Sequence, residues 1–88
     1  MNNFHEEALE VIATVLGKAA GSLSDNDSPL SVGSWDSLKQ MQLIVALEEK
    51  FNFRFSEDEP VFELLNVGKL IEAAQRVHSG ASSTSPRL

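Results

Sequence analysis

Cysteine is absent from the chain, which excludes disulfides and thiolate metal sites. Basic residues are scarce: 7 Lys and Arg stand against 13 Asp and Glu, for a formal charge of −6. Nucleic acid and anionic membranes both need a basic footprint, so they are poor partners. A basic protein surface suits the charge better. No apolar run lasts more than a few residues, so no segment reads as a membrane span. The N-terminus, MNNFHEEALE, lacks a basic n-region and an apolar h-region and does not read as a signal peptide. A soluble cytoplasmic protein is the expectation, and Met1 with the polar tail suggests a free-standing one. Strand signals are nearly missing. Only FNFRF, residues 51 to 55, alternates apolar and polar, and a lone strand has no partner. It reads as an extended linker whose phenylalanines plug the core.

The 88 residues are 42% apolar, enough for one domain with one small core and too much for global disorder. Four helical segments are expected. The first opens with the capping-box pattern Asn3-Phe4-His5-Glu6. Phe4, Ala8, Leu9, Ile12, Val15 and Leu16 then form one stripe. Gly17 is placed to end it in the left-handed conformation, with Lys18 near the negative end of the dipole. Residues 18 to 35, dense in Ser, Gly, Asp, Asn and Pro, read as a long loop. Leu23, Leu30 and Val32 are spaced as its anchors, and Ala19 and Ala20 are an alternative extension of the first helix.

Asp36 is a good N-cap for a second helix over residues 37 to 51. Leu38, Met41, Ile44, Val45, Leu47 and Phe51 are expected to face the core. Lys39, Gln40, Gln42, Glu48, Glu49 and Lys50 lie mostly opposite. Ser56-Glu57-Asp58-Glu59 reads as a second capping box opening a short third helix, which Pro60 makes irregular. Asn66 caps the fourth helix, with Val67, Leu70, Ile71, Ala74 and Val77 inward. From Ser79 the composition is that of a tail.

The stretch GSWDSLKQM, residues 33 to 41, puts Ser37 in the first turn of the second helix. A nucleophilic serine needs a base and an oxyanion hole. The two histidines, His5 and His78, lie near opposite ends of the chain and read as solvated helix-end residues. An esterase is therefore the weakest reading. A helix N-terminus does favour a phosphate, and an exposed first-turn serine can carry one as an ester. Trp35 is expected to be partly buried, to pin Leu30 and Val32, and to turn one edge toward Ser37.

The stretch resembles the attachment site of acyl carrier proteins and related phosphopantetheine-binding carriers. The resemblance runs through Gly33, Trp35, Asp36, Ser37 and Leu38. It continues through LIVALEEKFNFRF, the acidic SEDE and NVGKLIEAA, so that it spans residues 4 to 78. It implies an all-α fold: a small four-helix bundle with a long loop between helices 1 and 2 and a short third helix. Residues 1 to 79 would be the carrier domain and 80 to 88 a flexible tail. The resemblance further implies that Ser37 receives 4′-phosphopantetheine from a carrier-protein synthase (a phosphopantetheinyl transferase) using coenzyme A and magnesium. Asp36 would orient that transferase, with Trp35 and Leu38 beside the arm. Met41, Glu48, Glu49, Glu57, Asp58 and Glu59 would meet a loading ligase and downstream transferases. The protein would be a monomeric carrier and not an enzyme. Taken singly, such acidic residues are solvated faces and a methionine is core.

Trp35 and the less acidic Lys39, Gln40 and Gln42 depart from the usual fatty-acid carrier. The Trp-Asp-Ser-Leu form is more similar to stand-alone carriers of specialised pathways. An aminoacyl or peptidyl carrier, or a helical adaptor that is never modified, are the alternatives.

Overall fold

Asn3 starts the first helix as expected. In the computed structural model its side chain accepts the Glu6 amide at 3.2 Å, which satisfies one of the orphan first-turn donors. The structure describes the backbone of residues 3–84 and the side chains of residues 3–78. Helix α1 runs Phe4–Leu16, α2 Ser37–Phe51 and α3 Val67–Thr84, with 3₁₀ turns at Ala20–Ser22 and Val61–Glu63. Among the described residues the fold is all-helical. None of these helices is long and apolar enough to cross a membrane.

Both long loops leave their helices by the same device. Gly17 sits at φ 73°, and the amides of Gly17 and Lys18 return to Thr14 and Ala13. Asn52 closes α2 at φ 58°, with the Phe53 amide on the Glu48 carbonyl. Each is a Schellman-type cap, which needs one left-handed residue and finds it in glycine or asparagine.

The core gathers Ala8, Ile12 and Leu16 of α1, Leu43, Ile44 and Leu47 of α2, and Val67, Leu70, Ile71 and Ala74 of α3. Helix α1 packs against both of the others. Burying each large aliphatic side chain contributes roughly 1.5–3 kcal/mol. The loop between α1 and α2 is held from three sides. Leu23, Val32 and Trp35 are buried, Ser34 donates its hydroxyl to the Leu16 carbonyl at 2.9 Å, and the Val67 and Gly68 amides of α3 reach the Asp27 and Asp25 carbonyls.

Several sequence expectations need correction. Leu30 is not an anchor but is 99% exposed. The Ser31 and Val32 amides both return to the Ser28 carbonyl, and this tight turn throws Leu30 outward. Ala20 belongs to a 3₁₀ turn and does not extend α1. The inward face of α2 is Gln40, Leu43, Ile44 and Leu47, while Leu38, Met41 and Val45 are exposed. The helix carries two apolar stripes, and packing selected the one containing a glutamine.

The expected third α-helix is a single 3₁₀ turn, so the described residues form three α-helices where four were expected. Ser56 does not cap it. The Glu59 carboxylate bonds Arg76 instead, and Pro60 disfavours helical backbone at Glu59. Asn66 does cap α3, accepting the Lys69 amide at 2.7 Å. Helix α3 continues to Thr84, into the stretch where composition predicts a tail; no proline falls between Val67 and Thr84 to interrupt it. The rest of that expected tail, 85–88, lies outside the described residues.

Candidate functional site

Ser37 is the first residue of α2, and its side chain is exposed. Asp36 stands before it in extended backbone and accepts the Lys39 amide through its carboxylate at 2.9 Å. The Gln40 amide is satisfied by the Asp36 carbonyl. The amides of Ser37 and Leu38 have no intrahelical partner at a helix start, so they remain available to an anion beside the hydroxyl. No hydrogen bond engages the Ser37 hydroxyl among the described residues. Its neighbours differ: the Ser31 hydroxyl donates to Asp27 at 2.8 Å and that of Ser34 to Leu16.

Beside Ser37 lies a mostly apolar groove of about 260 Å³, lined by Pro29, Trp35, Asp36, Ser37, Gln40, Phe62 and Leu65. Trp35 is its floor. The indole is more enclosed than the sequence suggested, at 3% exposure rather than partly buried. The reason is a partner that the sequence did not reveal. The indole nitrogen donates to the Gln40 side-chain oxygen at 2.7 Å, so the polar edge does not need water. The Trp35 amide in turn reaches the Val32 carbonyl at 3.0 Å.

Gln40 is the residue that sequence reasoning missed. It is 2% exposed, and its amide nitrogen donates to the Val61 carbonyl at 2.7 Å and the Leu64 carbonyl at 3.1 Å. A buried amide is tolerated only when bonded in this way. Nothing in a single polar letter on an amphipathic helix distinguishes it from a solvated one. The clue was spacing: Gln40 falls in register with Leu43, Leu47 and Phe51.

The structure divides the predicted partner-contact residues. Leu38 and Met41 are exposed, 65% and 46%, next to Ser37. Glu49, Glu57 and Asp58 are exposed. Glu48 and Glu59 are engaged internally. Glu48 accepts the Phe55 amide at 2.9 Å and lies 3.9 Å from Arg54, while Glu59 receives Arg76 at 2.8 Å.

A larger open hollow, about 520 Å³, lies at the far end of α2 against Glu48, Glu49, Asn52 and Arg54; no serine hydroxyl lines it. His5 bonds Asp25 at 2.9 Å. The His78 ring lies against Phe4, Phe51 and Phe53 and is half-buried, not solvated as expected. Neither imidazole joins Ser37 in these contacts.

At Ser37 an apolar groove, an unengaged hydroxyl and a helix N-terminus meet, a combination suited to carrying a phosphate ester. The comparisons agree. The family model described as "Phosphopantetheine attachment site" matches residues 6–74. The acyl carrier protein of Chlamydia caviae is 35% identical over 69 residues, covering 78% of this chain and 88% of that protein. The chain belongs to the acyl carrier and phosphopantetheine-attachment family. Its prosthetic group is accordingly a covalent 4′-phosphopantetheine, and it is a carrier rather than an enzyme. The residues around Ser37 fit that group: a hydroxyl for the ester, orphan amides for the phosphate, and an apolar groove for the chain beyond it.

Proposed function

We propose that Ser37 bears the phosphopantetheine arm and that the protein holds an acyl or related carboxylic intermediate on it, presenting that cargo to partner enzymes. The observation that carries this is the exposed, unengaged Ser37 hydroxyl at the start of α2, opening onto an apolar groove. When bound, the arm supplies the thiol for a thioester, which a chain without cysteine cannot offer.

The roles of the chain's own residues rest on their contacts. Asp36 caps α2 and so holds the backbone that aims Ser37 outward. The adjacent amides and the helix dipole stabilise a phosphodiester at that position. Leu38, Met41 and Val45 form an exposed apolar stripe. With Glu49, Glu57 and Asp58 nearby in sequence, that stripe is suited to partners that offer a basic rim around an apolar patch. We assign the protein to the cytoplasm as a monomer served by a carrier-protein synthase, a loading ligase and downstream transferases. Its acidic, cysteine-free composition supports this reading.

The test is intact mass after incubation with coenzyme A, magnesium and a broad-specificity phosphopantetheinyl transferase. One arm increment is expected, located on Ser37 by peptide mapping. Ser37→Ala is expected to abolish it and to leave stability within about 0.5 kcal/mol, as for an exposed substitution. An arm on Ser31 or Ser34 refutes the assignment. An unmodified wild-type chain favours a helical adaptor.

A further inference from the structure

We infer that Gln40 sets the depth of the groove beside Ser37, so that the protein keeps a short acyl group against its surface and excludes longer chains from its core. This rests on the reading of Ser37 as the arm-bearing residue.

Gln40 lies one turn after Ser37, on the same side of α2. One buried side chain there fixes two parts of the groove. Its oxygen receives the indole of Trp35, the floor, at 2.7 Å. Its nitrogen holds the carbonyls of Val61 and Leu64 at 2.7 and 3.1 Å. The next residues in sequence are Phe62 and Leu65, which form the opposite wall and are 52% and 44% exposed.

A short apolar group lies in this groove without disturbing any of those bonds. A longer chain has to pass between α2 and the 61–63 turn to reach Leu43 and Leu47. That path separates Gln40 from its partners and leaves an indole N–H, an amide and two carbonyls unsatisfied in a low-dielectric interior. The alternative, a chain lying over the surface, keeps its apolar carbons in water. The volume agrees with a small guest: about 260 Å³ is below the roughly 300–1,000 Å³ of pockets that enclose drug-sized ligands. Replacing Gln40 by an apolar side chain of similar length removes both ties at once.

The experiment loads the wild-type protein from butanoyl- and dodecanoyl-coenzyme A with a broad transferase. It then compares methyl and aromatic NMR signals with the rate of thioester cleavage by hydroxylamine. Both cargoes are expected to move Phe62 and Leu65 signals and to leave Leu43, Leu47 and Leu70 in place, with equal cleavage rates. In Gln40→Met the dodecanoyl form is expected to shift the three core leucines and to be cleaved several-fold more slowly than the butanoyl form. Core shifts with dodecanoyl in the wild type overturn the inference, as does a folded Gln40→Met that still excludes the chain. If Gln40→Met does not fold, the wild-type comparison decides. Intact mass and peptide mapping come first. Failure to load Ser37 overturns the proposed function itself, whereas core shifts with Ser37 loaded overturn only the assigned depth.

Discussion

Removing the indole N–H from the Trp35–Gln40 pair gives a measurable test of the buried network. Trp35→Phe keeps a ring in the core but leaves the Gln40 oxygen, 2% exposed as a residue, without its donor. An unsatisfied buried acceptor costs about 1–3 kcal/mol, and the lost ring volume adds roughly 1 kcal/mol. The whole domain is expected to hold only about 4–13 kcal/mol at its length. The variant therefore loses a large share, equivalent to a fall in Tm on the order of 10–20 °C. Gln40→Leu strands the indole N–H and the Val61 and Leu64 carbonyls together, so it is expected to cost at least as much. The double variant is the informative one. Once either partner is gone, removing the other no longer breaks the 2.7 Å bond, so the two losses are less than additive. The expected coupling is about 1–2 kcal/mol. Urea unfolding of the four proteins gives the cycle, provided the m-values agree. Additivity within about 0.5 kcal/mol, or a Trp35→Phe change smaller than that, refutes the reasoning.

The caps and the loop supply three more predictions. Asp36→Ala removes the acceptor of the Lys39 amide and is expected to cost about 1 kcal/mol in urea unfolding, and to slow arm transfer in a mass-resolved time course. Unchanged values for both contradict its two roles. Gly17→Ala meets open space but keeps φ at 73°, so the cost is backbone strain alone, about 1–2 kcal/mol by thermal unfolding. The Asp27 carboxyl is held below its ordinary 3.8, first by the Ser24 amide and then by the Ser31 hydroxyl. A depressed folded value means that its contribution is present above about pH 4 and is lost as pH falls through the folded value. The acid limb of the urea midpoint is therefore expected to flatten in Asp27→Asn. An identical limb refutes it.

Much of the site was legible because local chemistry decides it. Asn3, Asp36 and Asn66 cap their helices through side-chain oxygens reaching amides three residues on, an interaction that needs no distant partner. Gly17 ends α1 because a residue without Cβ enters the left-handed region at little cost. The emergence of Ser37 at the next helix start depends on the same short-range rule, through the Asp36 cap.

Other features were settled only when the chain closed on itself. Helix α2 carries two apolar stripes, and periodicity cannot say which one is buried. The choice went to the stripe containing Gln40 because carbonyls 21 and 24 residues away met its amide. That contact also enclosed Trp35 and left Leu38 and Met41 outside. The acidic residues divided in the same way. Glu59 was drawn to Arg76, 17 residues on, and Glu48 to the Phe55 amide, while Glu49 stayed in solvent. A polar residue's fate depends on whether a partner arrives as it loses water, and that partner is a property of the tertiary structure.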